Sequence, residues 1–350
     1  MDNSRCVKKT DPLCYLFRFP HTAGVKKEIY LLDSPESEGN NQADSMLTTT
    51  AEEFEVKIPD ITYRPYFGVA IGRKYVVMAE RNLPVEGMNN FRDMGGYEAE
   101  NGCHVKWGKL YRSDHIYNAT EEGLEYLKGL GIHTIIDYRS PDERGKYPNK
   151  MISPDIRTYC IDPSAHTAEL AAQFTSSKES EDENLVNKII SQKEKGSLVN
   201  RYDIVMEQYL NFACKKECKE AFGKMLKIAA DPKSAAMVQH CRGGKDRTGF
   251  GSMLLLGLLG VGKEDLIEDY MLTHYNRVKR NQVKMDIYKK YTSDPVVLDY
   301  LYSLIDTKAE FIGASYDAII SSYGSFEEYV QKELDITSED VMQLRRNYLE

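Results

Sequence analysis

The stretch "SAAMVQHCRGGKDRTGFGSMLLLGLLG" (residues 234–260) decides the fold class of this chain. It opens with a short apolar run that ends in Gln-His-Cys and closes with a longer apolar run of helix-forming residues. Between them stand Gly243 and Gly244 among the charges of Arg242, Lys245, Asp246 and Arg247. A short apolar run bounded by turn residues reads as a buried strand, and a longer one as a buried helix. The segment is therefore strand, tight loop, helix, with the helix starting near Arg247–Thr248. A second unit of the same kind lies upstream. "TEEGLEYLKGLGI" (120–132) opens on the N-cap candidate Thr120, continues with Glu121 and Glu122, and repeats apolar residues at helical spacing up to Gly131. "HTIIDYRS" (133–140) follows it as a short apolar strand. Strands alternating with helices predict an α/β domain with a central, mostly parallel sheet flanked by helices, whose sites lie at the carboxyl ends of the strands.

Residues 1–82 read differently. "CYLFRFP", "EIYLLDSP", "EFEVKIP" and "YFGVAIGRKYVVMAER" carry β-branched and aromatic residues with Pro, Gly or Asn at the breaks. They predict a small β-sandwich-like module, with "ESEGNNQADSMLTTTAEE" (36–53) as a polar loop inside it. Residues 83–350 then form the α/β domain. Within it, 164–205 is charged and weakly apolar around "SSKESEDEN", which predicts either a surface insertion or a lid over a site. The tail from residue 264 on is helical, with Ser325 and Thr337 as caps followed by acids.

The composition is that of a globular chain: 350 residues, 41% hydrophobic and 29% charged. The net charge of −8 disfavours non-specific binding to nucleic acid, so a polyanionic ligand must be held by a local positive site. The N-terminus carries charges where a signal peptide needs an apolar run, and no window is apolar enough for a membrane span. Seven cysteines, an odd number without framework spacing, complete the expectation of a cytoplasmic protein with no integral membrane association.

The loop itself carries chemistry. A lone buried cysteine is usually inert, and Gly-Gly after a strand is usually a turn. Here Cys241, the Arg247 six positions on, the double glycine and the Thr248-Gly249 pair coincide. The N–H groups of Arg242 to Arg247 can turn inward toward an anion, with Gly243 and Gly244 permitting the geometry. The helix N-terminus adds partial positive charge, and the Arg247 fork grips two phosphate oxygens. Thiolate is the reactive form of cysteine, and the same field favours it. His240 orients the cysteine and the Thr248 hydroxyl is placed to donate to its sulfur. The arrangement suits attack of Cys241 on a phosphate monoester, with no metal and no cofactor required. "GLLGVGKE" (257–264) matches part of a nucleotide-binding loop, but Glu264 replaces its Ser/Thr and a helix precedes it, so it reads as a helix cap.

"HCRGGKDRTG" resembles the active-site loop of cysteine-dependent phosphatases, H-C-x5-R-[ST], and its inner "GKDRTG" resembles the bacterial atypical tyrosine phosphatases. "NNFRDMGGY" (89–97), the block at 109–144, the helix pair at 248–274 and "YGSFEEYVQKEL" (323–334) extend the likeness over residues 83–350 with gaps. The resemblance implies a tyrosine-phosphatase-like fold and hydrolysis through a phosphocysteine intermediate with broad, dual specificity. Substrates would be phosphotyrosine proteins, phosphorylated small molecules or phosphoinositides. A phosphoinositide phosphatase on the same site, or a non-catalytic phosphate-binding module, are the alternatives. The resemblance also implies Cys241 as nucleophile, Arg247 as phosphate clamp and Asp246 as general acid, with Asp162 of "CIDPS" as runner-up. Lys245 is either a second cation favouring highly charged substrates or a solvated lysine. Asn90, Arg92 and Asp93 form a polar loop near the site, and Asp137 with Arg139 a buried salt bridge that locks the loop. The family's helical lid, where present, precedes the catalytic strand, as residues 164–205 do.

Overall fold

Seven strands build the N-terminal part of the computed structural model, which describes residues 6–37, 45–164, 181–198 and 201–350. They are β1 (Cys6–Asp11), β2 (Cys14–Arg18), β3 (Lys27–Leu32), β4 (Leu47–Thr49), β5 (Glu53–Lys57), β6 (Tyr66–Ile71) and β7 (Lys74–Met78). They form two antiparallel sheets, in the orders β1-β2-β5 and β4-β3-β6-β7. Side chains alternate across each strand, so one face of each sheet can be wholly apolar. Val7, Tyr15 and Phe17 of the first sheet meet Ile29, Phe67 and Val69 of the second in one core. Phe17 stands edge-on to Phe67 with ring centroids 5.0 Å apart, which ties the layers together. This is the expected sandwich, with one strand added and one correction. "CVKKTD" is a further strand, paired with β2. Leu47–Thr49, inside the supposed polar loop, pairs with β3; residues 38–44 of that loop lie outside the described residues.

A second sheet system begins at Arg92. Strands β8 (Arg92–Asp93), β9 (Leu110–Ser113), β10 (Thr134–Asp137), β11 (Arg157–Cys160) and β12 (Met237–His240) lie in the order β11-β10-β12-β9-β8. All neighbours are parallel except the short edge strand β8. Adjacent residues on a strand serve opposite faces, and both faces here are apolar. Leu110, Ile136 and Met237 face a core with Phe222, Phe250 and Leu254. Their neighbours Tyr111, Ile135 and Val238 face a second core with Leu124 and Leu127 of the Glu121–Lys128 helix. A parallel sheet covered on both sides needs such continuous apolar strands. The register aligns Asp137 with His240 and His240 with Ser113, so three carboxyl ends open at one place beside Cys241.

The helix Asp246–Leu258 leaves that place and is buried on every side. Its neighbours are Arg201–Cys214, Lys216–Ala230, Lys263–Tyr288, Ala309–Tyr323, Phe326–Glu333 and Ser338–Tyr348. Thr120, Ser325 and Thr337 cap their helices as the sequence predicts. Of residues 164–205, 165–180 and 199–200 lie outside the described residues. Glu181–Glu194 is a helix packed through Leu185, Val186 and Ile189 on Tyr288, Val297, Tyr300 and Leu301. Residues 201–205 are not an insertion: they open a core helix that contributes Val205, Tyr209 and Phe212. The two parts of the chain meet at a seam where Arg64 pairs with Asp93 at 2.5 Å and the Trp107 Nε1 donates to the Val77 carbonyl. Among the described residues no helix is long and apolar enough to cross a membrane.

Candidate active site

The loop between β12 and its helix is shaped from outside. The helix starts at Asp246, one to two residues earlier than expected, so Asp246 and Arg247 sit in its first turn. Asn90 donates from Nδ2 to the carbonyls of Gly243 and Gly244, each at 3.2 Å. Arg112 donates from Nη2 to the same Gly244 carbonyl at 2.9 Å. With the carbonyls drawn outward, the amides are left to turn inward. None of the backbone N–H groups from Arg242 to Arg247 donates to another described residue. Unpaired buried amides in such a run make an anion-binding concavity.

Gly244 takes φ +64°, and a Cβ there would lie 2.4 Å from the Ser113 carbonyl oxygen. Gly244→Ala is thus expected to cost about 1–3 kcal/mol in stability and to open the loop, measured by urea unfolding and by turnover of p-nitrophenyl phosphate.

Arg247 is buried and held end-on by Glu143, with Nη1 and Nη2 reaching its two carboxylate oxygens at 2.6 and 3.0 Å. Nη1 also donates to the Tyr138 carbonyl at 3.1 Å. Burial alone would lower the Arg247 pKa, but Glu143 raises it above the ordinary value, so the charge is secure. The other edge of the guanidinium remains: Nε is buried and has no partner. That edge is the one available for a bidentate contact to a phosphate. Glu143 in turn is fixed by a capping box with Ser140 at the start of the Pro141–Lys146 helix.

Cys241 is 2% exposed at the foot of this loop. His240 turns Nδ1 to the Cys241 carbonyl at 3.2 Å, and its Nε2 lies 3.0 Å from the Asn149 amide. Burial lowers the pKa of this imidazole, which favours the neutral ring. Asp137 and Arg139 form a two-point ion pair at 2.7 and 2.8 Å beside it. Asp246 accepts from the Tyr209 hydroxyl at 2.8 Å, and Tyr209 also bonds Tyr270 at 2.5 Å. Asp162 accepts from the Ser164 amide at 2.9 Å, close enough for its charge to act on Arg247.

Several sequence expectations need correction. Lys245 is not solvated: it is buried, its Nζ donates to the Leu304 and Asp306 carbonyls at 3.2 and 2.7 Å and lies 3.6 Å from the Asp246 carboxylate. The Thr248 hydroxyl does not reach the sulfur; its Oγ1 is buried with no partner. Asp93 faces away, accepting from Arg64 and from the amides of Gly95 and Gly108. Of the "NFRD" group only Asn90 touches the loop. Arg92 supports it, donating to the Asn90 Oδ1 at 2.6 Å and to Asp269 at 3.2 Å. Glu143, Arg112 and Asp269 were not anticipated. Glu143 had a signal in the Ser140-Pro141-Asp142-Glu143 capping pattern. Asp269 stands at buried-face spacing with Leu266, Tyr270 and Thr273. A cavity of about 360 Å³ lies at the seam between Tyr15, Arg64, Glu80 and Tyr126 and includes none of the loop residues.

A family model described as the tyrosine phosphatase family matches residues 83–350. A Cupriavidus necator protein named as a tyrosine-protein phosphatase is 29% identical over 274 residues, covering 78% of this chain and 90% of that protein. The triple specificity protein phosphatase PtpB of Mycobacterium tuberculosis is 24% identical over 269 residues, 73% of this chain and 94% of PtpB. A tyrosine-protein phosphatase of Nostoc commune is 25% identical over 237 residues, 67% and 72% of the two chains.

Proposed function

This chain belongs to the tyrosine phosphatase family and is a protein-tyrosine phosphatase, and from that premise we propose that it works through a phosphocysteine on Cys241. The observation that carries this reading is the set of unpaired donors around the cysteine: the amides of Arg242 to Arg247 and the free Nε edge of Arg247. Together they match the equatorial oxygens of a phosphoryl group in transfer, where fixed donors contribute most.

In the first step the Cys241 thiolate attacks phosphorus and the bond from phosphorus to the ester oxygen breaks. The departing oxygen takes the bond's electron pair and a proton from Asp246. In the second step water attacks the phosphorus of the phosphocysteine and gives a proton to Asp246, the S–P bond breaks, and the thiolate leaves with its electron pair, releasing inorganic phosphate. Asn90 and Arg112 act as positioning residues through the loop carbonyls, and Glu143 through Arg247. Substrates are phosphotyrosine proteins and other phosphate monoesters. Residues 1–82 are proposed as a separate module with no part in the chemistry, and the Glu181–Glu194 helix as the described part of the cover over the loop.

Rapid acid quench of the enzyme during turnover of a radiolabelled phosphotyrosyl peptide tests the reading. A labelled protein, with the label on Cys241 by peptide mapping, is expected. Burst-free turnover with no trapped label under conditions where chemistry precedes phosphate release speaks against it. Asp246→Asn is expected to lose about a hundredfold in kcat with poor alkyl or peptide leaving groups and little with p-nitrophenolate. An equal loss across leaving groups, with selective loss in Asp162→Asn instead, would assign the proton to Asp162.

A further inference from the structure

Buried arginines in this chain follow a rule. Arg64, Arg92, Arg112, Arg139 and Arg247 each have a carboxylate within ion-pair distance: Asp93, Asp269 for two of them, Asp137 and Glu143. A guanidinium taken out of water needs such a partner, because an unpaired buried charge costs several kcal/mol. Among the described residues the buried Arg277, beside the phosphate loop, breaks the rule, and the half-buried Arg280 on the same long helix Lys263–Tyr288 likewise has no carboxylate within ion-pair distance.

Arg277 is 6% exposed, and its Nη1 lies 3.0 Å from the position a Cβ would occupy on Gly243. No described residue accepts a hydrogen bond from its side chain or pairs with it, and its nitrogens are not sealed from solvent. Arg280 is one turn along the same face, and among the described residues its only side-chain hydrogen bond goes to the Asn281 Oδ1 at 3.3 Å. Burial and the charges of Arg277 and Arg242 pull the Arg280 pKa down to about 10. The acids nearby are committed elsewhere. Glu181 pairs with Arg242, Asp182 pairs with Lys284 at 2.5 Å, and Asp114 is held by the amides of Asn89 and Asn90. Tyr288 is the remaining titratable group facing Arg280.

We propose that Arg277 and Arg280 form a second anion subsite, which takes a second phosphate carried by the substrate next to the one bound in the loop. This rests on the reading of the loop as the site of the scissile phosphate. The subsite abuts Gly243, so the two phosphates must be close together. Successive side chains of an extended peptide point to opposite faces, which disfavours two phosphorylated residues of one peptide. Phosphates on neighbouring carbons of a small polyol meet the requirement. Lys245 is spent on carbonyls, so the cations that favour a highly charged substrate come from the helix instead.

The test compares cyclohexyl phosphate with vicinal cyclohexanediol bisphosphate, each free in solution and each carried on a lipid in phosphatidylcholine vesicles. The wild type is expected to show kcat/KM about tenfold to a hundredfold higher for the bisphosphate, expressed in KM and weakened by salt. In Arg277→Gln/Arg280→Gln the ratio between the two substrates is expected to fall to near one, and Arg277→Lys/Arg280→Lys to restore part of it. Where the double variant does not fold, Arg280→Gln alone is expected to lower the ratio severalfold. The free bisphosphate should also inhibit wild-type turnover of p-nitrophenyl phosphate at lower concentration than the monophosphate. No preference in the wild type, a preference unchanged in the variants, or one seen only on vesicles would overturn the subsite. None of these outcomes bears on Cys241, whose own test is separate: retained turnover in Cys241→Ser would remove the reading beneath it.

Discussion

Cys241→Ser is expected to lower kcat for p-nitrophenyl phosphate by at least about a thousandfold, the largest activity effect of any single change here. A serine hydroxyl is a far weaker nucleophile than a thiolate, and the His240 ring beside it is engaged by the Cys241 carbonyl and Asn149. The substitution removes little else. Cys241 packs as a small group, 2% exposed, and the amides and the Arg247 edge proposed to hold the phosphate are untouched. Stability and affinity for a phosphotyrosyl peptide should therefore stay close to wild type, so that the variant binds without turning over. Calorimetric binding beside steady-state kinetics checks both halves. Turnover within tenfold of wild type would remove the phosphocysteine mechanism.

The largest stability effect is expected at Asp269, far from Cys241 in sequence. Its carboxylate accepts from Arg92 Nε at 3.2 Å, Arg112 Nη1 at 2.5 Å and the Tyr97 hydroxyl at 3.3 Å, all buried. Asp269→Asn leaves two buried guanidiniums facing each other with no charge between them. Arg92 already sits low, at about 10, because burial and Arg112 oppose its charge. Removing one partner of a buried ionic cluster typically costs about 3–5 kcal/mol, to be read from the urea midpoint at unchanged slope. Activity should fall with it, since Arg112 holds the Gly244 carbonyl.

The pH dependence follows the same carboxylate. Burial would raise the Asp269 pKa, but Arg92 and Arg112 outweigh it and bring it down to about 2. A carboxyl near 3.9 in the unfolded chain and lower when folded contributes stability that is full above the unfolded value and is lost as pH falls toward the folded one. The stability gap between wild type and Asp269→Asn is therefore expected to be constant near neutrality and to narrow between about pH 4 and pH 2. A gap that does not change through this window would mean that the charge of Asp269 is not what holds the two arginines.

Much of the site was legible because its parts are neighbours in the chain. Cys241, the paired glycines and Arg247 lie within seven residues, and the apolar runs on either side assign them to a strand end and a helix start. What the sequence could not place were side chains whose role depends on a distant partner. Lys245 sits in the loop by number, yet its ammonium is drawn to carbonyls at Leu304 and Asp306 because a buried lysine takes the nearest acceptors. Asp93 belongs to the same short motif as Asn90, yet alternation along β8 turns it to Arg64 at the seam. Glu143, Arg112 and Asp269 reach the loop from three other elements, and no local spacing joins them to it.

By itself, then, the sequence determined the sandwich, the parallel α/β sheet and the tight loop from Cys241 to Arg247, all of which follow from side-chain period and short-range backbone needs. Tertiary structure alone decided which charges are paired and which stay free. The ion pairs Glu143–Arg247 and Arg92–Asp269 join residues more than a hundred positions apart, and a charge's partner is set by the low-dielectric site into which folding brings it, not by its place in the chain.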